Sequence, residues 1–489
     1  MDKHIRPLTR PVIVCICIVT FLLLCLFPFE QKIKYQATYA TCVVLCLLGI
    51  ACPCLASGGR NGYCNPLTVV SVVYVMLFGV CPIYDIVKKE YLWFGYDLFD
   101  AGAYATLISI FGYLVFTIMY ICTGRRVTRR DSVTPCLNLR TCRYTLPVVG
   151  CIYIIAFAAN AYYMVAAGGN SLLYSLTLGL FGEGGTEKSD VALGAISMFS
   201  YCLPAVTLAY IEFGKSIPLK VSATYLMLAL QVSRGFRFII FQIAIMFLCY
   251  YKIKKGRMPS ASLMISTAFI LLATVLFMTI FRNDLRSGVG ADFSVVNASA
   301  IAKSFDEMLW DNLRIYKNFY GMVAAIPSRV PFVYLQQIVW GTLVMFVPRA
   351  IWPGKPVSMK AGPDLDVIIG PNLHLTGQAY PNIGEYWYAF GLVGVFVFMA
   401  LYAWWMKRIN VRFEGSDDVV GMMLLSVFIS LNLQLVIRGF TPSNFWFVIF
   451  SVIPLYALRP LCKLFETKKV GKQVPQFSNA STTCDERRV

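Results

Sequence analysis

Residues 260–281 read SASLMISTAFILLATVLFMTIF, a run without a single charged side chain. At about 1.5 Å per residue it is long enough to cross a hydrocarbon core roughly 30 Å thick. Lys252, Lys254, Lys255 and Arg257 precede it, and Arg282 and Arg286 follow it. Such a stretch is read as a transmembrane helix, and the pattern recurs outward in both directions. Apolar runs centre on residues 11–28, 37–56, 66–84, 101–123, 145–167, 191–211, 219–233, 238–251, 388–406, 418–437 and 444–460. The expected fold is an all-α polytopic membrane protein with about twelve transmembrane helices.

Composition agrees. Of 489 residues, 58% are hydrophobic and 14% charged, whereas a soluble domain is roughly a quarter charged and under half apolar. A cytosolic enzyme, a disordered chain and a fibrous repeat are excluded. The 43 Lys and Arg against 25 Asp and Glu leave a net charge of +18. The strongly basic short loops carry Arg125, Arg126, Arg129, Arg130, Arg140 and Arg143, then Lys252 to Arg257, then Lys407, Arg408 and Arg412. With the N-terminus inside, all of them fall on the cytoplasmic side. The positive charge is thus a topology signal whose partner is membrane phospholipid, not nucleic acid. Most of the 17 Cys lie in apolar runs, as Cys15, Cys17, Cys25, Cys42 and Cys46 do, and read as small buried hydrophobes. With only two His, a His-based zinc site is not expected, and no metal or cofactor is assigned. The first run follows Lys3, Arg6 and Arg10 and ends without a cleavage signal, so it reads as a retained helix.

Four regions follow. Residues 1–281 hold the first nine spans, 282–387 a long outer loop, 388–460 the last three spans, and 461–489 a polar cytoplasmic tail expected to be disordered. The loop shows a helical pattern at 302–320. Its apolar segment 333–347 is short for a span and is expected to lie along or dip into the membrane surface; as a true span it would shift the count. The seventh and eighth runs abut at Ser233-Arg234-Gly235-Phe236-Arg237, as two helices or one broken element.

The outer positive charges are grouped. Arg234 and Arg237 sit at that junction, Arg282 and Arg286 open the long loop, Arg349 and Lys355 lie in FVPRAIWPGKP (346–356), and Arg438 ends the eleventh run. One Arg at a helix end can snorkel to headgroups; several on the face that topology keeps poor in positive charge suggest an anion site. Arg presents a planar fork of donors that matches phosphate oxygens, so a lipid-borne phosphate or pyrophosphate is the expected anion. Tyr380, Asn382 and Gln378, with Trp352, Tyr386, Trp387 and Asp292, are of types that bind sugars, although Trp and Tyr also mark membrane interfaces. Glu385 and His374 are the candidate proton acceptors for an attacking hydroxyl, Glu385 also being a candidate structural partner for an Arg. Asp364-Leu365-Asp366 is a three-residue metal-type pattern and carries no assignment.

The run 346–356 resembles a signature of the Wzy-type oligosaccharide repeat-unit polymerases, also called O-antigen polymerases, and TGQAYPNIGEYWYAFG (376–391) resembles the segment that leads into a late helix of that family. The resemblance implies a membrane glycosyltransferase with GT-C-like architecture and a long outer loop, in a bacterial inner membrane, with its active site on the periplasmic face. It implies transfer of a growing glycan from undecaprenyl pyrophosphate onto the next lipid-linked oligosaccharide, without metal, with a chain-length regulator as a possible partner. Under it, Arg234, Arg237, Arg282, Arg286 and Arg438 hold the pyrophosphate, and Arg349 and Lys355, which match the shared run, are candidates for the same role or for folding the loop. The base stays open between Glu385 and His374. The alternatives are an O-antigen ligase, with the same donor and a different acceptor, and a flippase for lipid-linked sugars.

Overall fold

The computed structural model describes residues 35–56, 62–93, 95–123, 139, 142–168, 172–177, 199–233, 237–281, 284, 292–310, 313–345, 347, 352, 379–414 and 418–470. Its long helices are α1 (Gln36–Ala56), α2 (Pro66–Lys88), α3 (Gly102–Cys122), α4 (Thr145–Gly168), α5 (Leu203–Phe213), α6 (Ile217–Ser233), α7 (Arg237–Lys255) and α8 (Ala261–Ile280). After them come α9 (Ala298–Trp310), α10 (Ile315–Ala325), α11 (Thr342–Met345), α12 (Asn382–Phe413), α13 (Val419–Ile437) and α14 (Thr441–Val470). A two-residue hairpin, Leu92–Trp93 against Tyr96–Asp97, precedes α3.

The chain is a multi-pass membrane protein. Among the described residues, eight helices are long and apolar enough to cross: α1 to α4, α8, and α12 to α14. Each matches an apolar run of the sequence. The runs at 191–211 and 219–233 become α5 and α6, which are shorter. The run at 238–251 becomes α7, whose last turn carries Lys252, Lys254 and Lys255. The first run, 11–28, lies outside the described residues. The junction before Arg237 separates two packed helices, α6 and α7.

Starts are written locally. Asn65 caps α2 by accepting the Thr68 N–H at 3.0 Å, with Pro66 in the first turn. Asp418 caps α13 through the Gly421 N–H at 2.7 Å. These side chains satisfy donors that the first turn leaves open. Beside smaller clusters such as that joining α6, α7 and α8, packing centres on two large cores. One is built from α1, α2, α3, α10 and α12; the other from α4 to α7 and α14. Helix α13 is the post between them. Val436 and Ile437 enter the first core, and Val420 through Leu431 supply the second. It is also the most fully buried of the eight spans.

Two boundaries differ from the sequence reading. Helix α14 continues past Pro460 to Val470. Cys462 is buried in the second core and Leu461 packs against it, so burial carries the helix through the proline. Helix α12 begins at Asn382, ahead of the expected 388, and is broken at Phe390 and Gly391. Gly391 has φ 61°, a left-handed conformation open to glycine. Residues on either side of the break then lie side by side. Tyr386 stacks on Phe398 with centroids 5.3 Å apart, and Asn382 Nδ2 is 3.8 Å from Met399 Sδ. A Cβ on Gly112 of α3 would meet both Ile383, at 2.8 Å, and Val395, at 3.1 Å. Helix α12 is therefore a hairpin: the half 382–389 folds back along the start of the half 392–413. The carbonyls freed at the break, Tyr388 and Ala389, accept the N–H groups of Val333 and Tyr334 at 3.1 Å each.

Candidate functional site

The hairpin brings three segments to one end of the bundle: the start of α12, the α13–α14 turn and the apolar segment of the loop. Gly439 in the turn donates its N–H to the Tyr380 carbonyl at 2.7 Å. The approach is close. A Cβ on Gly439 would lie 2.4 Å from the Pro381 carbonyl and 2.6 Å from Asn382 backbone atoms. Gly439 is there because two backbones meet at that point. The loop segment, Gln336–Gly341 followed by α11, closes the third side. Trp446 Nε1–H donates to the Thr342 carbonyl at 3.0 Å, and Gln337 Nε2 donates to the Tyr380 hydroxyl at 2.5 Å. The segment is short and packs on α14.

Arg438 stands in this turn. Its guanidinium lies over the Phe238 ring, 4.8 Å from the centroid, and Phe238 follows Arg237, the first residue of α7. Burial lowers the pKa of the Arg438 guanidinium, and Tyr201 acts in the opposite sense. The cation is half-buried and poorly hydrated, a setting in which an anion interacts strongly. Two of the sequence-predicted cationic positions, Arg438 and the backbone of Arg237, are thus brought together. Arg234, Arg282, Arg286, Arg349 and Lys355 lie outside the described residues, as do His374 and Gln378.

Glu385 has 1% of its surface exposed. Each carboxylate oxygen lies 3.0 Å from the Thr441 N–H, and Oε2 also accepts from the Thr441 hydroxyl at 2.5 Å. Thr441 opens α14, so Glu385 caps a helix from another part of the chain. A carboxylate at a helix N-terminus is held by the free N–H groups and by the dipole. Among the described residues its partner is Thr441, through both its N–H and its hydroxyl. Tyr380 and Asn382 are also buried. The Tyr380 hydroxyl is taken by Gln337, and Asn382 Oδ1 accepts the Ile383 N–H at 2.8 Å. Both polar groups thus have partners within the protein.

One cluster was not singled out from sequence. Lys317 of α10, with 2% of its surface exposed, pairs with Asp85 of α2 at 2.8 Å. Asp85 also accepts from the Tyr316 hydroxyl at 2.6 Å and from Arg314 at 3.3 Å, and Arg314 pairs with Glu90. Next to Lys317, Asn318 accepts from Trp93 Nε1–H at 3.0 Å and donates to the Ala379 carbonyl at 2.6 Å. The cluster ties the long loop to α2 and fixes the residue just before Tyr380. Its only sequence signal was Lys317 among the aromatic residues Tyr316, Phe319 and Tyr320. Among the described residues, no group of three or more His, Cys, Asp or Glu is placed to hold a metal ion.

The chain as a whole decides the identity. A family model for O-antigen polysaccharide polymerase Wzy matches residues 12–469, nearly its full length. The chain belongs to the Wzy family. No curated protein and no solved structure matches it. The Wzy match spans both cores, the loop helices and the Arg438 turn, so these are parts of one polymerase unit.

Proposed function

We propose that this Wzy family member is a membrane glycosyltransferase that polymerises oligosaccharide repeat units carried on undecaprenyl pyrophosphate, in the bacterial inner membrane and on its periplasmic face. The observation that carries the reading is Arg438: a half-buried cation backed by Phe238, beside the start of α7 where Arg237 stands. Arg234, Arg282 and Arg286 are proposed to complete the pyrophosphate site, with Arg349 and Lys355 serving the shared run of the loop. About twelve spans, of GT-C-like arrangement, are proposed for the complete chain.

In the proposed step, an acceptor hydroxyl oxygen forms a bond to the anomeric carbon of the growing glycan. The bond from that carbon to the pyrophosphate oxygen breaks, and its electron pair leaves with undecaprenyl pyrophosphate. Arg438 stabilises the charge that develops on the leaving group. The hydroxyl proton passes to a base. Glu385 has both oxygens engaged by Thr441, which supports a positioning role for it, and His374 is then the proposed base. The donor is already activated, so no metal is required, and EDTA is expected to leave the rate unchanged.

The test uses the purified chain in nanodiscs with a lipid-linked repeat unit, products read as a ladder on a gel. Arg438→Ala is expected to lower turnover by about 10²–10³ with the protein still inserted and folded. Arg438→Lys should recover little of it, because a point charge lacks the fork of donors. A full-length ladder from both variants sinks the pyrophosphate role. Transfer only to a lipid A core acceptor makes the chain a ligase instead.

A further inference from the structure

Below the Arg438 turn lies a small cavity, about 20 Å³, between α5, α6, α7, α13 and α14. Its polar lining is Gln231, Gln242, Tyr201 and Ser451. Gln231 and Gln242 are 1% and 8% exposed, and among the described residues neither Oε1 atom has a hydrogen-bond partner. Gln231 Nε2 is used, donating to the Ser200 carbonyl at 3.3 Å. Both side chains line this space, and a buried acceptor is costly unless a donor reaches it.

The cavity is in register with the cation above it. Gln242 is one helical turn from Phe238 on α7, the ring that lies under Arg438. On α13, Val427 lines the cavity and Leu431, Gln434 and Arg438 continue the same face toward the turn. Gln434 is also buried, its Oε1 without a hydrogen-bond partner among the described residues. Tyr201 lines the cavity and acts electrostatically on Arg438. A column of amide groups thus leads from the cation into the bundle.

We infer that this cavity is a carbohydrate subsite, taking one hydroxyl or hydroxymethyl group of the sugar whose pyrophosphate Arg438 holds. The inference rests on the function proposed above. A hydroxyl suits it because it donates to a Gln oxygen and is of the size of a single water, which is what such a volume admits. A phosphate oxygen does not suit it, since it brings acceptors to acceptors.

The decisive measurement is equilibrium binding to the full chain in nanodiscs, independent of turnover. The probes are a lipid-linked repeat unit isolated from cells lacking the polymerase, and undecaprenyl pyrophosphate without glycan. Gln231→Met and Gln242→Met keep the volume and remove the amide. Each is expected to weaken binding of the glycan-bearing probe about tenfold, the loss of one hydrogen bond, with binding of undecaprenyl pyrophosphate unchanged and Tm unchanged or raised. Ala205→Val fills the cavity and leaves both Gln in place, and should weaken only the glycan-bearing probe. Unchanged binding of both probes together with a raised Tm overturns the inference and leaves a water site. Equal weakening of both probes also overturns it, by assigning the cavity to the pyrophosphate. If the wild type binds both probes but makes no polymer, the polymerase reading fails, while the difference between the probes still decides the subsite.

Discussion

Glu385 accepts the backbone N–H of Thr441 with both carboxylate oxygens at 3.0 Å, across 56 residues of sequence. The contact joins the re-entrant half of α12 to the first turn of α14, and Arg438 lies in the turn that precedes Thr441. A carboxylate in the family-like segment is therefore a fastener for the loop that carries the cation.

Glu385→Ala removes the acceptor from a buried helix start and is expected to destabilise by about 1–3 kcal/mol. Glu385→Gln keeps one oxygen acceptor. It should retain most of the thermal stability and a turnover within about tenfold of wild type, because a positioning carboxylate acts through geometry. Loss of 10²–10⁴ in the Gln variant at unchanged Tm, roughly the value of a general base, would restore Glu385 as the base. Turnover and melting temperature in nanodiscs separate the two.

His374 is the complementary case. His374→Ala is expected to lower turnover by about 10²–10⁴ without lowering Tm, and to abolish the acid limb of the pH–rate profile. An unchanged profile would send the proton to the departing pyrophosphate.

The pair Asp85 and Lys317 is buried on both sides, and burial lowers the pKa of the Lys317 ammonium while Asp85 opposes that shift. Asp85→Asn or Lys317→Met leaves a charge without its counterpart and is expected to cost roughly 3–5 kcal/mol. The double variant should be less destabilised than the sum of the two. Melting curves of the four proteins of this cycle measure the coupling, and strict additivity would show that the two charges do not interact.

Gly439→Ala places a methyl group 2.4 Å from the Pro381 carbonyl. The two backbones must separate, at an expected cost of about 1–3 kcal/mol. Polymer yield should fall with it, since Tyr380, Glu385 and Arg438 are all referred to this contact. Gly112→Ala is a control for general tightness: it also crowds a span, through the flexible end of the Ile383 side chain at 2.8 Å, without touching the α13–α14 turn backbone. Equal loss of polymer from both at equal Tm would deny the Gly439 contact any special role.

How much of this was legible in the chain can be followed residue by residue. The run 260–281 and its fellows are apolar over the thickness of a bilayer, and hydrophobic length depends on local composition alone. Caps such as Asn65 and Asp418 are local too, needing only the next three residues. The family-like segments and the cationic positions were visible as residue types, and Arg438 was placed correctly at a helix end. What those residues face was not visible. Glu385 finds Thr441, Lys317 finds Asp85 across 232 positions of chain, and Gln231 meets Gln242 around one cavity, because distant helices are brought side by side. The α12 hairpin depends on Gly391 taking a left-handed φ and on Val333 and Tyr334 arriving to bond the freed carbonyls. A hydropathy window sees only a continuous apolar stretch there. The sequence by itself determined which segments are apolar over the length of a bilayer, since that is a transfer free energy summed along the chain. Tertiary packing alone decided which polar groups are satisfied inside the protein and which line a cavity, since that depends on partners far apart in sequence.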